Sequence, residues 1–186
     1  MGTKFSTRIW VSVVGIASIF FGSKGYADTV ISVADFGLKP DTRENAVAYV
    51  QKAIEACRGK EPVTLVFPEG RYDFWPQYAH EKNYYETNTY DVFPKRLAML
   101  FEGLHNITVD GSGSQFIMHD RIQPITVENC DGVTLKNFSI DWDIPLTAQA
   151  RVTKVGSDFF EIEINVLESP YIIEDDERLS QDIFDP

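Results

Sequence analysis

The residues best placed to do chemistry are Asp141-Trp142-Asp143. In an extended strand, residues two apart share a face, so both carboxyl groups would lie on one side. Two like charges held close raise the pKa of one of them. An acid beside a carboxylate is what hydrolysis of a glycosidic bond uses: one protonates the leaving oxygen, and the other activates water or attacks. The same residues precede Ile144-Pro145. An Asp at such a place is often only a turn former, and the sequence favours that plainer role. A second group is aromatic. Trp75, Tyr78, His80, Tyr84, Tyr85, Tyr90 and Phe93 fall within one irregular segment. Rings stack on sugar faces much as they pack on each other, but most of these serve equally well to pin a long loop. The candidate substrate-contacting residues are therefore Asp141, Trp142, Asp143, Trp75 and Tyr85. There is no nucleophile elbow, phosphate loop or zinc motif. His80, His105 and His119 show no metal-ligand spacing with each other or with Cys57 and Cys130, so neither a metal nor another cofactor is expected.

The elements that must position these residues repeat. Placing Ile107-Thr108-Val109 on Val133-Thr134-Leu135 puts Asn106 over Gly132 and Asp110 over Lys136, at an offset of 26 residues. Such a period, built from short strands broken by Asn, Asp and Gly, points to a β-solenoid. Ile107, Val109, Val133 and Leu135 would face inward, with Thr108 and Thr134 outward. One coil cannot bury its apolar face alone, so Ile107 and Val133 should stack on neighbouring turns. A β-sandwich with two similar hairpins is the plainer alternative.

Upstream, Asp41 and Glu44 match a capping box opening a helix. Val47, Val50, Ala53, Ile54 and Cys57 form its apolar face, and Gly59 its left-handed stop. This helix would cover the open end of the stack. Val63 to Phe67 and Arg71 to Phe74 read as strands around Pro68-Glu-Gly70. After Asp143 the period is lost. Ala148 to Val155 and Phe159 to Val166 alternate around Gly156-Ser-Asp158, a hairpin signal with one buried and one wet face.

Residues 1–27 read as a cleaved signal peptide. Lys4 and Arg8 precede an apolar run from Ile9 to Gly22, too short for a comfortable membrane span, and Gly25-Tyr-Ala27 supplies small residues. Cleavage is expected between Ala27 and Asp28, giving a secreted or periplasmic protein with no stable membrane anchor. The chain carries a net charge of −11 over 186 residues, with 44% hydrophobic and 24% charged residues. Losing Lys4, Arg8 and Lys24 makes it −14. A surface that acidic repels nucleic acid and anionic lipid, while a neutral sugar remains compatible. Cys57 and Cys130 read as two small buried thiols rather than a disulfide.

Val33-Ala-Asp-Phe-Gly37 with its following helix, then Phe67-Pro-Glu-Gly-Arg-Tyr72, resembles the opening of the pectate-lyase-like right-handed β-helix enzymes. Tyr84-Tyr85, Asn106-Ile-Thr-Val-Asp-Gly-Ser-Gly-Ser114, Leu135-Lys-Asn-Phe-Ser-Ile-Asp141 and Ala148-Gln-Ala150 are similar to the α-1,3-galactosidases of glycoside hydrolase family 110. The resemblance runs from about residue 30 to residue 186. It implies exo-acting, inverting, metal-independent release of terminal α-1,3-linked galactose from a glycan. It also implies β-barrel insertions in the β-helix, and it places this chain at the amino-terminal portion. The family's catalytic carboxylates are then expected beyond Pro186, and none maps onto a residue here.

The expected fold is all-β: a right-handed parallel β-helix with an N-terminal capping helix, incomplete at the C-terminus. Its expected parts are a signal peptide at 1–27, the cap and first coils at 28–147, and a β-hairpin insertion or barrel begun at 148–186. An amino-terminal fragment of the galactosidase would be inactive alone. A non-catalytic β-helix module for carbohydrate binding or adhesion, and another pectinase-like β-helix enzyme, are the alternatives.

Overall fold

The computed structural model describes residues 29–83, 94–173 and 179–180. Ala27, Asp28 and Tyr85 lie outside them. The first strand, β1 (Thr29–Ser32), runs into a short 3-10 turn at Val33–Phe36. There the Ser32 hydroxyl accepts from the Ala34 N–H and the Asp35 carboxylate accepts from the Ser32 N–H, both at 3.2 Å. This reciprocal capping box sits nine residues before the one the sequence suggests. At the suggested place, Asp41 is turned away from the helix. It accepts from the Arg71 N–H at 3.0 Å, and Asp41 and Arg43 both take a left-handed backbone with φ of 62°. The helix α1 (Val47–Cys57) is opened instead by Asn45, whose side-chain oxygen accepts from the Val47 N–H at 3.1 Å.

The face of α1 is the one its spacing requires: Val47, Val50, Ala53, Ile54 and Cys57 are all buried. Burial pushes the Cys57 thiol up to about 11. Cys130 is half-buried, and both thiols are free. After the helix, the Lys60 N–H donates to the Cys57 carbonyl at 3.1 Å, with Gly59 at φ 71°. The third position of such a turn needs positive φ, which glycine supplies without strain.

From here the chain lays down strands in parallel. β2 (Val63–Val66) and β3 (Arg71–Phe74) are followed by β4 (His80–Lys82), β5 (Lys95–Glu102), β6 (His105–Met118), β7 (Gln123–Glu128) and β8 (Asp131–Trp142). One ladder runs Thr29, Val63, Ile107, Val133. A second runs Arg71, Gln115, Ser139, and a third pairs Leu97 with Gln123. Ile107 faces Val133, and Asp110 faces Lys136, as the 26-residue repeat requires. Between Ile107 and the preceding pass at Val63 the offset is 44 residues, because the aromatic segment intervenes. Near its start, Lys82 bridges the carboxylates of Glu102 and Glu128. β4 pairs with β5 antiparallel; the other contacts among these strands are parallel.

The corners explain the Asn and Gly of the motif. Asn106, Asn129 and Asn137 take φ of 48°, 50° and 60°. Asn tolerates this left-handed region better than most residues with a side chain. Inside the stack, Phe67, Phe116 and Phe138 form a column with ring centroids 4.7 and 4.8 Å apart. Ile107, Val109 and Phe116 have no exposure, whereas Leu135 and Ile140 on β8 are 39% and 37% exposed. The alternation in the repeat places Leu135 inside; among the described residues no strand covers the free edge of β8. Beyond it, β9 (Ala150–Val155) and β10 (Phe160–Ile164) form the antiparallel hairpin the alternation suggests. Arg151 pairs with Glu163 and Lys154 with Glu161 on one face. The opposite face, with Val152 and Phe160, is exposed rather than buried. A short pair, β11 (Ile172–Ile173) and β12 (Leu179–Ser180), follows.

The tightest approach between passes is at Gly111, where an added Cβ would meet the Phe138 Cβ at 2.5 Å and the Asn137 carbonyl oxygen at 2.7 Å. Since that neighbour is backbone, β6 and β8 must separate to admit a methyl group. Gly111→Ala is expected to cost about 1–3 kcal/mol of stability in urea unfolding. A change below a few tenths would contradict the close pairing.

Candidate functional site

The site stands where β3, β6 and β8 end together, with Phe74, Met118 and Trp142 in register. The ladder continues one step further. The His119 N–H donates to the Phe74 carbonyl at 2.9 Å, and the Asp143 N–H to the Met118 carbonyl at 3.0 Å. On β3, Tyr72 and Phe74 are buried in the aromatic core, so the alternate residues Arg71 and Asp73 take the opposite face. Three passes of chain thus bring Arg71, Asp73, Trp75, His119 and Asp143 to one place.

Asp73 is the anchor. Its side chain has no exposure, and the Arg71 fork grips it: Nε lies 3.1 and 3.0 Å from the two carboxylate oxygens, and Nη2 lies 2.6 Å from Oδ1. His119 Nε2 adds a contact of 2.8 Å to Oδ1. Burial by itself would push this carboxyl up; the hydrogen bonds from Arg71 and His119 outweigh it and hold it below the usual carboxylate range. Arg71 is held above its usual value, first by its hydrogen bond to Asp73. The same guanidinium reaches Asp143 Oδ1 at 2.9 Å, so one cation bridges two carboxylates. Arg43 Nη1 stands 3.9 Å from Asp73 and 4.0 Å from Asp143, with a largely exposed side chain. Trp75 stacks flat on the His119 ring, with centroids 3.8 Å apart and planes at 7°.

An ionised Asp73 can only accept, so His119 Nε2 carries the hydrogen of that contact and Nδ1 is the ring nitrogen left toward Asp143. Nδ1 lies 3.8 Å from Asp143 Oδ2. Two Asp and two Arg cancel in formal charge. The cluster therefore suits a neutral, hydrogen-bonding ligand better than an anion or a metal ion. Among the described residues, no group of three or more His, Cys, Asp or Glu side chains could hold a metal.

Of the sequence candidates, Asp143 and Trp75 join this cluster. Asp141 does not share their partners; it is exposed, and its carboxylate caps the N–H of Trp142 at 2.8 Å. The two carboxylates of Asp141-Trp142-Asp143 thus have separate partners. Trp142 packs against the core, and its indole N–H donates to the Asp120 carbonyl at 3.3 Å. Tyr78 borders a shallow groove with Gln51, Glu55 and His80 beside α1. Arg43, Arg71, Asp73 and His119 were not singled out by sequence. Arg71 and Asp73, two apart on a strand, carried a local signal for a shared face; Arg43 and His119 carried none.

No family model matches the chain. It is similar to α-1,3-galactosidase B of Bacteroides thetaiotaomicron, at 62% identity over 148 residues. That alignment covers 80% of this chain and 24% of the relative. α-1,3-Galactosidase A of Shewanella woodyi is 36% identical over 73% of this chain and 22% of its own length. α-1,3-Galactosidase B of Phocaeicola vulgatus is 36% identical over 83% and 25%. The chain belongs with the bacterial α-1,3-galactosidases, in keeping with its resemblance to glycoside hydrolase family 110. It spans about a quarter of the length of the curated relatives it matches.

Asp73 sets a prediction for stability against pH. Its folded pKa is depressed, so its contribution is complete above the ordinary carboxylate value of about 4 and is lost as pH falls through the folded value. Asp73→Ala is expected to cost about 2–4 kcal/mol at neutral pH. It should also flatten the loss of stability below about pH 4. Urea unfolding over that range reads both; an unchanged acid slope would contradict the ion-pair geometry.

Proposed function

We propose that the chain is the amino-terminal part of a secreted, exo-acting, inverting glycoside hydrolase that releases terminal α-1,3-linked galactose from glycans. The observation that carries this reading is the 62% identity over four-fifths of the chain to a protein named α-1,3-galactosidase B. The ladders that recur at 26 residues support winding as a right-handed parallel β-helix, with α1 covering its first turn. In this reading residues 28–147 are the cap and first coils, and residues 148–186 begin a hairpin insertion or barrel. The acid pair that performs inversion lies on later coils, beyond Pro186, with carboxyl groups about 6.5–9.5 Å apart. The partner is a glycan ending in α-galactose; the acidic net charge of −11 disfavours nucleic acid. Residues 1–27 direct export and are removed, leaving the protein secreted or periplasmic.

A carbohydrate-binding role without catalysis is the second reading. The observation in its favour is the cluster around Asp143, which offers donors and acceptors to a neutral ligand but engages both of its carboxylates with Arg71.

The chain alone is expected to release no galactose from an α-1,3-linked disaccharide, and measurable turnover would refute its inactivity. A chimera carries the test further. This chain would replace the matching segment of the Bacteroides thetaiotaomicron relative and is expected to restore galactose release. A folded chimera with no release, beside an active parent, would overturn the galactosidase reading. Amino-terminal sequencing of the exported chain should begin at Asp28; a start at Met1 would refute cleavage.

A further inference from the structure

The outer edge of the Asp73 cluster has a division of labour that structural bracing does not require. Asp73 is enclosed and its oxygens are engaged by Arg71 and His119. One oxygen of Asp143 is likewise taken by Arg71. Three groups remain on the outer side. His119 Nδ1 and Asp143 Oδ2 face each other across 3.8 Å, too far to bond and both acceptors while the imidazole is neutral. Arg43 Nη1 stands 4.0 Å from Asp143, beyond hydrogen-bonding distance, and its side chain is 62% exposed. Among the described residues, none of these three atoms makes a hydrogen bond.

We infer that His119, Asp143 and Arg43 form a subsite for two adjacent hydroxyl groups of a neutral pyranose. One hydroxyl hydrogen-bonds to His119 Nδ1, which a hydroxyl can do as donor or acceptor, and its neighbour donates to Asp143 Oδ2, at the usual length of about 2.7–2.8 Å. Arg43 donates in return to a hydroxyl or ring oxygen. Trp75, flat against the back of His119, fixes the imidazole plane, and Asp73 fixes its tautomer. Other ligands fit less well. Arg71 and Arg43 oppose a metal cation beside the carboxylates, and Asp73 and Asp143 oppose a phosphate or sulfate. Polyhydroxylated neutral rings match both the charge balance and the mixed donors and acceptors. The three residues that form the subsite all lie within the described part of this chain. It deepens the galactosidase reading and rests on that reading only for the choice of galactose as ligand.

Nitrogen NMR of the full chain, labelled at histidine, reads the proposed bond directly. Methyl α-D-galactopyranoside should shift the His119 Nδ1 signal saturably, and its 3-deoxy or 4-deoxy analogue should do so at least tenfold more weakly. Asp143→Asn should weaken the galactoside about tenfold, and Arg43→Gln, at an exposed position, severalfold. Loss of folding in Asp143→Asn leaves Arg43→Gln and the deoxy series to decide. A shift produced equally by methyl α-D-glucopyranoside keeps the subsite and sinks its assignment to galactose. Galactoside binding by calorimetry with a silent His119 overturns the subsite and leaves the galactosidase reading standing. Silence at His119 with every pyranoside, or a shift unaffected by both substitutions, also overturns it.

Discussion

The structure depends on the stacking of parallel strand passes, in which an apolar side chain is buried where it has counterparts on both neighbouring passes. Leu65, Val109 and Leu135 occupy matching positions on β2, β6 and β8. The first two have no exposure, while Leu135 is well exposed. The hydrophobic effect acts through area removed from water, so β8 gains less than β6 from the same kind of residue. The Phe67, Phe116 and Phe138 rings continue the same principle along the core. What limits the stack is backbone approach, and that is why the passes meet over Gly111 and Gly132.

Register is also what makes the polar cluster. Trp75, His119 and Asp143 are separated by 44 and 24 residues, yet each is the first residue after strands whose ends align. A slip of one residue in any pass would turn a side chain to the opposite face. The Arg71–Asp73 pair then sets the electrostatics. A carboxylate enclosed without partners would favour its neutral form; here a forked guanidinium and an imidazole keep it charged. This buried pair holds His119 in one orientation, while Asp143 and Arg43 stay toward solvent. Rigid interior and open edge come from the same six residues.

Much of the fold was legible because it is written locally. The 26-residue offset, the face of α1 and the hairpin around Gly156 each follow from spacing within one or two elements, and each appears in the structure. The capping box was misread because Asp41 and Glu44 have the right types and spacing, but Asp41 bonds to β3 across the fold instead. The cluster was half legible. Asp143 and Trp75 stood out by type. The intervening aromatic segment stretches the earlier turn to 44 residues, so the period that aligned Ile107 with Val133 could not align Asp73 with His119. Asp141 drew attention for sharing a strand with Asp143, but strand β8 ends between them, and their partners diverge.

Methyl-to-methyl NOE measurements on the chain in solution address the stacking most directly. Parallel passes require cross-peaks between Ile107 and Val133, between Val109 and Leu135, and between Leu65 and Val109. Contacts of Ile107 with an antiparallel neighbour, and none with Val133, would contradict the stacked turns and the cluster built on them.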